Sequence, residues 1–460
     1  MSGVLNLIYK DTQMTKEEIL LFIMDGDVDI SKLKDLLSDM NTVDIAEILE
    51  YLERDKFIQM FRVLPKSTAF EVFANMDSEH QQSVIEALTD KEIGEIINKL
   101  FVDDAVDFIE EMPANVVRRV LENVQSEKRK LINQFLQYPD DSAGSIMTSE
   151  YINLQEESSV QEAFETIRKT GSNKETIYTC YVIRNDRLLV GEVTARTLML
   201  SNPQERIGNI MDTTPVFAHT TDDREVVADQ FKKYDLLAMP VVDKEQRLVG
   251  IITVDDIMDV IVAENTEDIE KMSALNPSDD PYMKSGIIKL AKNRFLWLLV
   301  LMLSATITAS IIQGFEESLA LMPILMAFIP MLMDTGGNSG CQSSTLIIRG
   351  MALGDIRLRD FLRVFWKEIR VALLCGLALA AVNFGRIYIM NGRNVLLAVT
   401  VSLALVCTVL VAKTVGSLLP MLAKRIGIDP AMMAAPVITT IADAASLIMY
   451  FSFAKLILGL

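Results

Sequence analysis

The stretch VLLAVTVSLALVCTVLVAKTVGSLLPMLA, residues 395–423, decides the architecture, because it is long and almost entirely apolar. A helix that crosses a bilayer needs roughly 20 consecutive, mostly apolar residues. Four further apolar runs lie near it, so the sequence predicts a domain of five membrane-spanning helices. The alternative, a buried helical core in a water-soluble protein, is a poor explanation for five such runs in one short segment. The predicted spans are residues 295–313, 319–348, 369–390, 395–423 and 431–458.

Charge divides the chain into two different parts. Residues 281–460 carry 8 acidic and 16 basic side chains, a net charge of +8, whereas residues 1–280 carry −27, for a total of −19. Such an acidic part excludes binding to nucleic acid, whose phosphates require a basic surface, and it attracts cations. The four cysteines form no CxxC, and there are only two histidines. These counts argue against a disulfide framework and against zinc, copper or non-haem iron.

Basic residues also predict the orientation. The N-terminus has no apolar segment typical of a signal peptide, so we expect the acidic part to remain in the cytoplasm. Lys and Arg cluster before the first predicted span and between the second and third spans, and the first connection has none. Basic loops stay on the cytoplasmic side. We therefore expect a multi-pass protein of the cell (inner) membrane, with its N-terminus in the cytoplasm and its C-terminus outside.

The first 136 residues contain a repeat. The segment DIAEI at residues 44–48 aligns with EIGEI at 92–96, and Leu64-Pro65 aligns with Met112-Pro113. Apolar residues recur every three or four positions, as amphipathic helices require. A helical array with a period near 48 residues predicts a solenoid-like α-helical superhelix over residues 1–136.

A second repeat, with a spacing of about 60 residues, occupies residues 141–262. GSIM at residues 144–147 is echoed by GNIM at 208–211, and LVG at 189–191 by LVG at 248–250. Each copy is predicted to contain strands and helices, with helices at residues 160–169 and 224–234. This pattern resembles a tandem pair of CBS domains, an α/β regulatory module that often senses adenine nucleotides. The resemblance implies that Thr253 and Asp256 hold a ribose, whereas the first copy has Thr197 in place of the carboxylate.

A dense acidic helix follows the second repeat, and residues 263–290 are predicted to form a connecting helix to a transmembrane domain at 291–460. Like charges four residues apart on one helix face repel each other. A divalent cation held against another acidic surface would relieve that repulsion, although charge runs are usually solvated helix faces. The candidate ligands are Asp255, Asp256, Asp259, Glu264, Glu267 and Asp268.

Two polar stretches interrupt the apolar runs. The first, PMLMDTGGNSGCQ at residues 330–342, allows close helix approach or local unwinding, and plain packing through small residues is the alternative. The second begins at Asp429-Pro430, which suit a helix start, and contains Asp443 about 20 Å further along. An ionised Asp inside the bilayer is costly and wants a cation, a proton or a basic partner. No Lys or Arg of the same helix lies within two turns.

Oxygen ligands select hard cations, and Mg²⁺ is often held through its waters by one or two carboxylates. A single Asp per chain fits this chemistry if two chains meet at a two-fold axis and contribute two carboxylates. Thr439, Thr440 and Asn338 could add oxygen ligands or hold waters, and a protonated Asp443 bonded to a backbone carbonyl is the alternative.

The combined motifs resemble the MgtE magnesium channels over nearly the whole chain. The most specific are TGGNSG at residues 335–340, and Asp429-Pro430 followed by Thr440 and Asp443. The resemblance implies a homodimeric, Mg²⁺-selective channel with Asp443 as the pore carboxylate. It also implies regulatory Mg²⁺ bound between the acidic helix and the N-terminal array, where Asp104 lies, with ATP as a further regulatory ligand. High internal Mg²⁺ would close the pore. Cys341 and Ala445-Ser446 depart from the family pattern.

Three other functions remain open at this point. An ion-coupled carrier of Mg²⁺, Mn²⁺ or Co²⁺ would use Asp443 as a proton site, and a non-transporting Mg²⁺ sensor would not need Asp443. A membrane enzyme is disfavoured, because no GxxxxGK[ST], HExxH or GxSxG motif occurs.

Overall fold

A computed structural model describes residues 18–19, 37, 40–278, 282–283, 285–433 and 435–459. The part of the predicted helical array before residue 40 lies almost entirely outside these described residues. The chain divides into two compact units, Met1–Ile261 and Val262–Leu460. Most of the acidic predicted ligands lie in or near the helix that runs across this boundary.

Residues 40–141 of the first unit, all of which the structure describes, contain eight short helices that confirm the predicted repeat. Each of the last four begins 48 residues after its counterpart among the first four, and equivalent helices pack through the same apolar positions, such as Ile45 and Ile93. Thr89 caps the fifth helix through a capping box with Glu92, and Asn41 caps the first. The eight helices are α1 (Thr42–Glu50), α2 (Arg54–Val63), α3 (Lys66–Ala74), α4 (Ser78–Ala87), α5 (Asp90–Ile97), α6 (Val102–Glu111), α7 (Ala114–Asn123) and α8 (Ser126–Phe135).

Two copies of a small α/β motif follow, as the second repeat predicts. In each copy the first strand pairs with the second in parallel, and the second pairs with the third in antiparallel, so the two sheets have equivalent orders. The predicted helices at residues 160–169 and 224–234 are confirmed. The elements are β1 (Asn153–Gln155), α9 (Val160–Thr170), β2 (Thr179–Ile183), β3 (Leu189–Thr194), α10 (Ala195–Leu200), α11 (Ile207–Ile210), β4 (Ala218–His219), α12 (Arg224–Tyr234), β5 (Ala238–Val242) and β6 (Leu248–Thr253).

The acidic helix α13 (Val254–Met272) begins directly after β6. The prediction of one connecting helix over residues 263–290 is wrong in its extent. Helix α13 ends at Met272, because Ala274 adopts a left-handed conformation with φ +54° and Pro277 follows. The next helix begins only at residue 287, where it continues into the first predicted span.

The second unit consists of long apolar helices around a core that includes Leu332, Leu405 and Phe451. Among the described residues, four segments are long and apolar enough to cross a membrane by length and composition: Ile287–Gly314, Leu358–Met390, Val395–Arg425 and Pro430–Leu458. The second predicted span, residues 319–348, is divided between two shorter pieces and a 24-residue helix that is less apolar. The helices are α14 (Ile287–Gly314), α15 (Glu316–Leu321), α16 (Ile329–Ala352), α17 (Phe361–Met390), α18 (Val395–Arg425) and α19 (Ala435–Leu458).

Helix α16 stays continuous through the glycine-rich segment, so of the two predicted possibilities the structure has close approach and not unwinding. A Cβ on Gly340 would lie 2.5 Å from Ile438 of α19, and a Cβ on Gly416 of α18 would collide with the carbonyl oxygen of Gly340. The absence of side chains therefore brings α16 into backbone contact with its neighbours. Helix α14, by contrast, has no buried residue within the described unit.

Candidate cation sites

Carboxylates from three segments of the first unit converge on one region. Helix α6 contributes Asp103 and Asp104, the segment before β2 contributes Glu175, and the start of α13 contributes Asp255 and Asp256. Burial raises the pKa of Asp103 well above its usual value, and the charges of Asp104, Asp256 and Glu175 raise it further, so these carboxylates interact electrostatically. We call these five residues the carboxylate cluster.

The surroundings also disfavour the ionised form of other members of the carboxylate cluster. Burial, followed by the charge of Asp256, raises the pKa of Asp104 to about 6. Burial, followed by the charges of Asp256 and Asp255, raises the pKa of Glu175 to about 7. Two carboxylate oxygens, Asp103 Oδ1 and Glu175 Oε2, are buried without a hydrogen-bond partner among the described residues. Buried acceptors of this kind are costly unless a cation or proton meets them.

One basic side chain lies beside the carboxylate cluster. Lys128 of α8 places Nζ 3.6 Å from Glu150 Oε1 and donates a hydrogen bond to the carbonyl oxygen of Leu100 at 2.5 Å. Glu150 also accepts hydrogen bonds from the hydroxyls of Thr148 and Ser149. The ammonium group of Lys128 offsets only part of the negative charge that the carboxylate cluster would carry with all five carboxylates ionised.

A second group of predicted ligands lies near the end of α13, within the second unit. Lys271 Nζ lies 2.7 Å from Glu267 Oε1 and 2.8 Å from Asp429 Oδ2. Burial, followed by the charge of Asp429, raises the pKa of Asp268. Asp429 also accepts a hydrogen bond from the backbone N–H of Ala431 at 2.8 Å, which confirms its predicted role at a helix start. An ammonium group thus holds the acidic helix against the segment that leads into α19.

The membrane-domain site surrounds Asp443 on α19. A cavity of about 630 Å³ lies between α14 and α19, and its lining includes Ser304, Thr308, Thr439, Thr440 and Asp443. Asp443 has neither a hydrogen bond nor an ion pair with any residue that the structure describes. Its carboxylate therefore faces the cavity without a basic partner, as the sequence predicts.

The two threonines of this cavity are held by their own helix. The hydroxyls of Thr439 and Thr440 each donate a hydrogen bond to the carbonyl oxygen of Pro436, at 2.9 and 3.0 Å. Their oxygen lone pairs remain available to accept from water. Asn338 is not among the residues that line the cavity. It is exposed on α16, where its Nδ2 donates to Asp334 Oδ1 at 3.1 Å.

The structure thus brings some of the predicted ligands together and separates others. Asp104, Asp255 and Asp256 join one cluster, Glu267 and Asp268 lie near Asp429, and Thr439 and Thr440 accompany Asp443. Asp259 contributes only a more remote charge to Asp256, and Glu264 is half-buried further along α13. The residues of these sites that sequence reasoning did not select as ligands or partners include Asp103, Glu150, Glu175, Lys128, Lys271 and Asp429, together with Ser304 and Thr308 in the cavity of Asp443.

The predicted ribose-binding pair is preorganised. Thr253 Oγ1 donates to Asp256 Oδ2 at 2.6 Å, so these two side chains contact each other at the junction of β6 and α13. In the first copy the hydroxyls of Thr194 and Thr197 lie 3.0 Å apart. Asp256 therefore belongs both to the carboxylate cluster and to the predicted nucleotide site.

Among the described residues, the set of three side chains that come close enough together to share one metal ion lies in the helical array and not in the carboxylate cluster. Single ligand atoms of Glu50, Asp77 and His80 all lie within 4.8 Å of one another. Asp77 caps α4 by accepting from the backbone N–H of His80, and Glu50 accepts from the backbone N–H of Asp77. These contacts give the group a structural role in helix capping.

Comparison with known proteins agrees with this architecture. Three family models match: the MgtE intracellular N domain over residues 40–141, the CBS domain over 143–201 and 207–263, and MgtE, divalent cation transporter, over 329–453. The chain thus combines a helical array, a CBS pair and apolar helices that include Asp443, whose carboxylate has no partner among the described residues. This combination defines a protein of the divalent cation transporter class.

Two relatives match the chain over nearly its whole length. The magnesium transporter MgtE of Thermus thermophilus is 37% identical over 94% of this chain and 96% of its own length. The magnesium transporter MgtE of Bacillus subtilis is 30% identical over 96% of this chain and 98% of its own. The chain belongs to the MgtE family of magnesium transporters. The relatives are named as transporters and not as enzymes.

Two solved structures are similar to about half of this chain. The cytosolic domain of the Mg²⁺ channel MgtE in complex with ATP is 30% identical, covers 54% of this chain and all of its own, and has a TM-score of 0.50. The soluble part of a magnesium transporter is 25% identical, covers 55% of this chain and 99% of its own, and has a TM-score of 0.51.

Proposed function

We propose that this protein is a Mg²⁺-selective channel that cytoplasmic Mg²⁺ closes. The observation that carries the proposal is the cavity at Asp443, where a carboxylate without a basic partner among the described residues lies among hydroxyl groups on apolar helices. An ionisable side chain inside a membrane domain marks an ion pathway by default. Family membership supports Mg²⁺ as the ion.

The ligand chemistry also suits Mg²⁺. The cavity offers one carboxylate and several hydroxyls, and no imidazole or thiolate is among its described lining residues. Mg²⁺ gives up its water reluctantly and binds through one or two carboxylates while it keeps several waters. In a homodimer with two Asp443 side chains at the two-fold axis, two carboxylates would meet one hydrated ion. The apolar surface of α14, which has no buried residue within the described unit, supports such a partner.

The pore proposal is tested by Mg²⁺ flux into liposomes that contain the full chain. We expect Asp443→Asn, which keeps the side-chain size and removes the charge, to abolish most of the flux. The matched control is Asp355→Asn, an exposed acid in the connection between α16 and α17. Unchanged flux in Asp443→Asn would contradict the proposal and would favour a sensor. A requirement for a proton gradient would favour the ion-coupled carrier.

The carboxylate cluster is the proposed sensor. Its acids come from the helical array, the first CBS copy and α13, so their mutual repulsion opposes the association of these elements. A divalent cation would supply the missing positive charge and clamp them together, which is a local charge change acting on a two-state element. Asp103 Oδ1 and Glu175 Oε2, two buried carboxylate oxygens without hydrogen-bond partners among the described residues, are the ligands we add to the sequence-derived set.

Helix α13 is the proposed connection from sensor to pore. It begins at the carboxylate cluster with Asp255 and Asp256, and near its end Lys271 pairs with Asp429. Asp429 caps the turn that leads into α19, the helix of Asp443. Movement of α13 would therefore act directly on the proposed pore helix. Regulatory Mg²⁺ at Glu264, Glu267 and Asp268 remains part of this proposal.

Three further expectations belong to the same proposal. ATP binds the CBS pair near Thr253 and Asp256, an expectation supported by the similar cytosolic domain that was solved in complex with ATP. Residues 291–460 form the transport domain, with α16 as the fifth span. The N-terminus lies in the cytoplasm and the C-terminus outside.

A further inference from the structure

A buried chain of polar side chains links three helices of the membrane domain at a distance from Asp443. Lys413 of α18 is only 6% exposed, and its Nζ donates to Ser343 Oγ of α16 at 3.4 Å. Ser343 is 1% exposed and donates to Glu368 Oε2 of α17 at 2.7 Å. No sequence feature singles out this set, because its three members lie on three different helices.

The chemistry of serine explains the arrangement. A hydroxyl carries one donor and two acceptor lone pairs, so Ser343 can accept from an ammonium while it donates to a carboxylate. Lys413 and Glu368 are thereby compensated through the hydroxyl of Ser343. Charged residues within membrane domains are rare, are usually paired, and serve function. Ser343 is the member that both charges share.

The position of Ser343 connects this chain to the proposed pore. One turn earlier on α16, Gly340 meets Ile438 of α19 and the backbone of α18. A further turn earlier, a Cβ on Gly337 would lie 3.0 Å from Thr439 Cγ2, and Thr439 lines the cavity of Asp443. At these glycines α16 presents no side chain that could fix its register along α18 and α19, although further along the helix Ile347 and Met351 share a buried cluster with Val364 and Met421. The hydrogen bonds of Ser343 to Lys413 and Glu368 are directional and can fix the position of α16 along its axis.

We propose that Glu368, Ser343 and Lys413 are positioning residues that fix α16 against α17 and α18 and thereby set the shape of the Asp443 cavity. This inference rests on the proposed function, because it assigns these residues to the same ion pathway. None of the three is among the described residues that line the cavity. They act on the ion through the placement of α16.

The test compares two adjacent serines in the full chain reconstituted in liposomes. Ser343→Ala removes the shared hydroxyl. Ser344→Ala is the matched control, because Ser344 is also 1% exposed and its hydroxyl has no hydrogen-bond partner among the described residues. We expect Ser343→Ala to raise the Mg²⁺ concentration for half-maximal flux at least about tenfold, as the loss of a buried hydrogen bond to charged groups implies. Ser344→Ala should leave it unchanged.

The half-maximal concentration separates positioning from folding. A variant that only folds poorly lowers the number of active proteins and leaves this concentration unchanged. A second comparison uses Glu368→Gln, Lys413→Met and the two together. Each single change leaves either buried Lys413 or half-buried Glu368 without its opposite charge, so we expect the double variant to be closer to wild type than either single variant.

The outcomes are distinguishable. Equal half-maximal concentrations for Ser343→Ala and wild type, or a double variant no better than the worse single one, would overturn the positioning role. Asp443→Asn is measured in parallel. If Asp443→Asn retains normal flux, the proposed pore itself fails, whatever the serines do.

Discussion

The substitution Glu175→Gln tests the carboxylate cluster most sharply, because it removes one charge and keeps the size of the side chain. The environment raises the pKa of Glu175 from 4.5 to about 7, first through burial and then through the charges of Asp256 and Asp255. A shift of this size corresponds to about 3 kcal/mol of unfavourable free energy for the ionised form. Solvent screening of this half-buried group reduces the value to about 1–2 kcal/mol.

The sign of the pH dependence follows from that shift. The folded state binds the proton of Glu175 more tightly than the unfolded state does, so wild type loses stability as the pH rises from about 4.5 to about 7. Glu175→Gln has no such loss. Without Mg²⁺ at pH 7.5, we therefore expect the unfolding transition that includes the carboxylate cluster to lie roughly 2–8 °C higher in the variant than in wild type. At pH 4.5 the two should melt together.

Added Mg²⁺ should reverse this order. Wild type gains stability from bound cation, whereas the variant has lost one proposed ligand and gains less. The assay is thermal unfolding of the full chain in detergent, in EDTA and in millimolar Mg²⁺, with Glu165→Gln on the exposed side of α9 as control. A variant less stable than wild type in EDTA at pH 7.5, or equal protection of both by Mg²⁺, would refute the account of the cluster.

Two further substitutions test other contacts. Lys271→Met removes the ammonium group between Glu267 and Asp429, whose two surface-accessible contacts are worth about 1 kcal/mol each at most. We therefore expect the Mg²⁺ concentration that half-suppresses flux to rise roughly 5–30-fold. Titration of flux against cytoplasmic Mg²⁺ measures this concentration, and an unchanged value would contradict the role of the contact. Gly416→Ala places a Cβ against the carbonyl oxygen of Gly340, so we expect a lower melting temperature and less flux. The control Gly385→Ala, with open space around it, should resemble wild type in both measurements. Equal behaviour of the two variants would contradict the close approach of α16 and α18.

The sequence predicts the fold well where periodicity and length carry it. The 48-residue repeat is confirmed by eight helices with matched starts, because each repeat buries the same face. The CBS copies follow from echoed motifs such as GSIM and GNIM. The helical extent of residues 263–290 could not be predicted in this way, because the break depends on a left-handed Ala274, a conformation that the residue type alone does not suggest.

The candidate sites were predictable only in part. Asp443 is visible in the sequence because a lone carboxylate in an apolar run is costly. Glu175 and Lys271 are not, since their significance arises only when loops and helices distant in sequence meet. Asn338 illustrates the opposite case: its place in the glycine-rich motif suggests the pore, but the structure pairs it with Asp334 outside the cavity.

The central claim is that one pore at Asp443 is closed by cytoplasmic Mg²⁺. Single-channel recording of the full chain in planar bilayers tests this claim most directly. The account predicts that millimolar Mg²⁺ on the cytoplasmic side lowers the open probability of wild type and leaves its unit conductance unchanged. Glu175→Gln should need more Mg²⁺ to close at the same conductance, and Asp443→Asn should lose the conductance itself. Openings of normal size in Asp443→Asn, or wild-type openings that ignore cytoplasmic Mg²⁺, would contradict it.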